Sequence, residues 1–112
     1  MTLAPALLLL AAAQSGVTPP HFRRPAKPLT AAQLNTYPEA RGLPADVQRF
    51  IIYYEDCHHW RGEEPYDAER AREIAAAVRK VCPGLTQEKA RLERRHVGSP
   101  EVRRRLAGYR FD

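Results

Sequence analysis

A chain of 112 residues has room for one domain at most, and removal of a leader would leave one whose core is marginal without a covalent staple. The formal charge of +5 is uneven: residues 1 to 38 carry three cations and no anion, residues 39 to 82 seven against nine, and residues 83 to 112 eight against four, giving +3, −2 and +4. The middle is therefore excluded as a polyanion binder, whereas the tail has the field of one.

The opening MTLAPALLLLAAAQSG holds an apolar run, Leu3 to Ala13, too short to span a bilayer as a helix. Small residues around Ala11 to Ala13 suit signal peptidase, so residues 1–13 are read as a cleaved secretory signal, although no Lys or Arg precedes the run. No Cys sits just after it to accept a lipid. The expected location is secreted or periplasmic. Residues 14–43 read as a Pro-rich, largely extended linker, because VTPPHFRRPAKPLT places four prolines within ten residues, fixing φ angles and removing amide donors. A short helical turn is expected at Thr30 to Asn35, and no core.

Residues 44–112 are expected to form a small all-α domain. Its first helix begins at LPADVQRFIIYYEDCHHW, where Pro44 suits the first helical position and Asp46 the positive end of the dipole. Val47, Phe50, Ile51, Tyr54, Cys57 and His58 recur at helical spacing until Gly62 and Pro65. Asp67 caps a second helix whose stripe is Ala71, Ile74, Ala75, Val78, Val81 and Cys82, ended by Pro83 and Gly84. Thr86 and Ser99 are read as caps of two basic C-terminal helices, the first with Lys89 or Ala90 beside Leu92, His96 and Val97, the second with Val102, Leu106 and Tyr109. No run alternates long enough to argue for a strand.

An oxidising compartment favours a bridge between Cys57 and Cys82, the two cysteines of the chain. In a tight antiparallel hairpin they would lie roughly 20 Å apart at 1.5 Å rise per residue, whereas a disulfide needs Cα atoms within about 7 Å. The connecting RGEEPYD, extended, reaches roughly 23 Å. The bridge therefore predicts that this loop runs back along the first helix and the second returns in nearly the same direction, or that the second crosses the first.

The stretch EDCHHWRGEEPYD concentrates a thiol, two imidazoles and five carboxylates. Glu55, His58 and His59 are the metal-ligand candidates, with Glu55 and His59 one turn apart. His58 and His59 diverge by about 100° as helix neighbours and cannot both bind one ion. A nucleophilic Cys57 would need His58, His96 or His21 as base, and Glu63 with Glu64 would need a fixed separation that loop neighbours lack. Catalysis, metal binding and a cofactor are accordingly not the leading expectation. Lys89, Arg91, Arg94, Arg95, Arg103, Arg104, Arg105 and Arg110 are the candidate contacts for an anionic envelope component or acidic protein, since guanidinium groups pair with oxyanions. Nucleic acid would be the first guess from composition, and the leader argues against it. Tyr109 and Phe111 beside Arg110 allow a membrane-surface contact. The leading reading is a disulfide-stapled accessory module of the envelope. The competing class is a metal-binding or small catalytic protein centred on Glu55, His58 and His59.

Overall fold

The computed structural model describes residues 18–111, so the leader reading of residues 1–13 lies outside the described residues. Among the described residues the chain is all-helical. Two short helices, α1 (Pro20–Arg23) and α2 (Ala31–Thr36), and a 3₁₀ turn (Pro38–Ala40) lead into α3 (Ala45–Gly62). Then follow α4 (Ala68–Val81), α5 (Leu85–Arg95) and α6 (Pro100–Ala107). No helix among them is long and apolar enough to cross a membrane.

The long α3 is the axis. Val47, Phe50, Ile51, Tyr54 and Cys57 are buried as the stripe predicts, and His58 is exposed with its ring 4.3 Å from that of Tyr54. Pro44 is the cap rather than the first helical residue, with extended ψ of 151°. Leu85 and Leu92 of α5, then Val102, Leu106 and Tyr109 in and after α6, cover this stripe. Each such side chain contributes roughly 1.5–3 kcal/mol when buried. Ser99 caps α6, its Oγ accepting from the Val102 amide at 3.3 Å. Thr86 is not a cap: α5 starts at Leu85, and the cap is Gly84 at φ 79°, a left-handed conformation that costs glycine little. The ring of Pro19 occupies the space where a Cβ on Gly84 would stand.

The Pro-rich segment is not outside the core. Phe22, Ala40 and Leu43 are buried in it, and Leu29, Leu34 and Tyr37 pack against it. Prolines lack amide donors, so this arm leaves some of its carbonyls without partners of its own. Side chains of α3 do so instead. Arg49 donates to the carbonyls of Phe22 (2.9 Å) and Arg24, while buried Gln48 donates to the Ala40 carbonyl (3.0 Å) and accepts from the Leu29 amide (3.1 Å). The Tyr37 hydroxyl donates to Asp56 at 2.5 Å. Only the local turn was legible: Thr30 and Gln33 form a reciprocal capping box on α2.

Cys57 and Cys82 are joined, with Cα atoms 5.1 Å apart. The predicted long extended loop is absent, because Arg61 and Gly62 remain helical and only Glu63 to Asp67 connect α3 to α4. Arg70, in the first turn of α4, bonds Glu63 (2.7 Å) and lies over the Trp60 ring (5.2 Å). From Arg70 to Cys82 the chain advances roughly 18 Å, while from Glu63 back to Cys57 it covers roughly 9 Å. The five-residue connection absorbs the difference, so Cys82 reaches Cys57 without a long loop. Val81 is its one buried residue, and Ala71 and Ala75 of the expected stripe are exposed.

Candidate functional site

The eight basic candidates of the C-terminal region divide by what the fold does with them. Glu88, in the first turn of α5, is fully buried. Arg91, one turn later, grips it with two bonds, Nε to Oε1 at 2.6 Å and a terminal nitrogen to Oε2 at 2.8 Å. Arg49 of α3 approaches the same carboxylate at 3.8 Å. A buried carboxylate requires such partners. Arg91 therefore serves the interior, and the paired bonds to Glu88 hold its guanidinium pKa above the ordinary value. Arg95 Nε lies 3.1 Å from Asp46, which also faces His96 Nε2 at 3.0 Å, so the end of α5 is fastened to the start of α3.

Arg94, Arg103, Arg104, Arg105 and Arg110 are exposed, and Lys89 is half-buried; none has an ion-pair partner among the described residues. The helical period explains α6. With Val102 and Leu106 turned inward, Arg104 projects directly away from the core and Arg103 and Arg105 flank it. Arg104 stands between two shallow hollows, one of about 450 Å³ shared with Arg103, Pro100 and Glu93, the other of about 580 Å³ shared with Arg105, Glu101 and Tyr109. Tyr54 straps the following residues down, its hydroxyl donating to the Arg110 carbonyl (2.7 Å) and accepting from the Arg110 amide (3.0 Å). Tyr109 is buried, which pushes its phenol up to about 12, and so belongs to the core. Phe111 is exposed beside it.

No protein-family model matches the chain, and neither does any curated protein or solved structure. The reading of its surface therefore rests on geometry.

The acidic and imidazole stretch does not converge. Glu55 is half-buried, and burial, then Glu39, raises its carboxyl pKa above the usual value. His58 leans on Tyr54, while His59 is exposed with Nε2 3.8 Å from Glu63. No group of three His, Cys, Asp or Glu able to hold a metal exists among the described residues. Cys57 is in the disulfide and has no thiolate to offer, and Glu63 is taken up by Arg70 while Glu64 is exposed. Sequence reasoning missed the roles of Arg49, Glu88 and His96 in joining elements. The i, i+3 spacing of Glu88 and Arg91 was the available signal for one of these pairs.

Proposed function

We propose that this protein is a secreted or periplasmic accessory module that presents the basic face of α5 and α6 to an anionic component of the cell envelope. The disulfide is consistent with an oxidising compartment. One observation carries the reading: the fold pairs Arg91 with Glu88 and Arg95 with Asp46 and leaves Arg94, Arg103, Arg104 and Arg105 exposed without an ion-pair partner among the described residues. Exposed cations near a negative surface each add roughly 1 kcal/mol of attraction, which fades beyond a Debye length of about 8 Å at physiological salt.

Co-sedimentation with vesicles of phosphatidylglycerol, set against vesicles of neutral lipid, tests this. Binding to the anionic vesicles alone, falling steeply with added salt, is expected. Replacing Arg94, Arg103, Arg104 and Arg105 together by Gln is expected to weaken it by roughly tenfold or more. Binding indifferent to salt, or to that replacement, would refute the proposal.

A further inference from the structure

A second concave surface lies on the other side of α3, remote from the arginine-rich face. The Pro-rich arm, α3 and α4 enclose a groove of about 700 Å³, within the size range of clefts that hold small molecules. Its apolar lining comes from all three: Leu29 of the arm, Ile52 and Trp60 of α3, and Ala77 and Val81 of α4. Apart from Val81 these side chains are only half-buried, so the groove retains apolar surface in water. It is also preformed. The Cys57–Cys82 bridge fixes the end of α4 against α3, Gln48 holds the Leu29 amide, and Arg70 lies over the Trp60 ring.

The charges around this lining are asymmetric. Lys27 and Lys80 line it and are exposed. The acid among the lining residues, Asp56, accepts the Tyr37 hydroxyl. Arg49 also reaches the groove, but its guanidinium is held by backbone carbonyls of the arm and by Glu88. Two ammonium groups therefore remain at the edge of an apolar trough. An aliphatic tail would lie against Ile52, Trp60 and Val81, with a negative head between the lysines.

We propose that this groove binds a single-chain anionic amphiphile of the fatty-acid class, its carboxylate at Lys27 and Lys80 and its chain along Trp60. The tail supplies most of the affinity, because each methylene removed from water multiplies it roughly three- to fourfold, while exposed lysines contribute mainly orientation and choice of charge. The inference is independent of the arginine-rich face, since no residue is shared between them.

Trp60 is the one tryptophan of the chain and lines the groove, so its fluorescence reports occupancy directly. Purified protein with the bridge intact would be titrated with laurate, caprate, dodecanol and dodecyltrimethylammonium, each below its micelle concentration. A saturable one-site response is expected for laurate, with caprate weaker by roughly tenfold for two fewer methylenes. Dodecanol should bind more weakly than laurate, and the cationic amphiphile weakest. The double variant Lys27→Glu and Lys80→Glu, at two exposed positions, should invert the preference between the two charged chains. Ala77→Phe, which fills the trough, should abolish the response with thermal melting retained. A response that does not saturate, equal affinity for the two charged chains, or full binding by a folded Ala77→Phe variant would overturn the proposal.

Discussion

α4 and α6 both contribute to the core built on the central helix, and they are held by different means. α6, of 8 residues, buries Val102 and Leu106 and is followed at once by buried Tyr109. α4, of 14 residues, buries Val81 alone. Burial of two or three apolar side chains is worth several kcal/mol. The longer helix lacks that, and it is the one that carries the covalent link to α3. In this small protein sulfur supplements apolar area where a helix buries little of its own surface.

The strongest way to break this comparison is to remove the bridge. Replacing Cys57 and Cys82 by Ser is expected to cost about 3 to 4 kcal/mol for a closed loop of this length, measured by denaturant unfolding. Hydrogen exchange should show amides of α4 losing protection first, with those of α6 following only global unfolding. Equal protection of the two helices in the variant would end the distinction. Next in size is Glu88→Ala, which leaves Arg49 and Arg91 facing each other without their carboxylate. A loss of about 3 kcal/mol is expected, at the low end of the range for broken buried pairs because Arg91 can turn towards water. This variant should loosen α5 and the Pro-rich arm together and leave the bridged cysteines unreactive to alkylation. Ser99→Ala removes the cap of α6 and should cost about 1 kcal/mol, a loss visible in the melting temperature.

The smallest effect is one of pH. His21 stacks on Tyr53 with ring centroids 4.5 Å apart, and its buried Nε2 has no hydrogen-bond partner. Burial, then the charges of Arg49 and Arg24, lower its pKa below 6.5, partly opposed by Glu88. As pH falls below 6.5 the unfolded chain takes up this proton before the folded one. Stability from this site is therefore complete above that value and declines through the folded pKa. Melting temperature should drop between pH 7 and pH 5, and His21→Phe should flatten the dependence in that window. An unchanged slope in the variant would assign the effect elsewhere.

Local rules carried the reading of α3 and α6 because each has a dense apolar stripe with clear stop signals. Cys57 and Cys82 pair as expected because the chain holds no other cysteine. Two kinds of error arose from contacts distant in sequence. The four prolines dictate an extended local backbone but say nothing of where Phe22 goes, and its burial depends on Arg49 and Gln48 twenty or more residues away. The stripe of α4 promised more burial than it receives, because amphipathicity shows which face can be covered and not how much of it a neighbour covers. At the candidate surface, composition identified the arginines, but only the fold separates Arg91 and Arg95, which have carboxylate partners, from the unpaired set.

The guanidinium of Arg49 meets the carbonyls of Phe22 and Arg24 on one side and the carboxylate of Glu88 on the other. Arg23 looks like a ready substrate for a trypsin-like protease, since it is exposed, whereas Pro25 protects the bond after Arg24. Peeling the arm away to fit such an enzyme would strip Arg49 of two acceptors and uncover the interior around Phe22. Cleavage after Arg23 should therefore wait on opening of the whole domain, so that an intact arm in a digest is a measure of the fold's integrity.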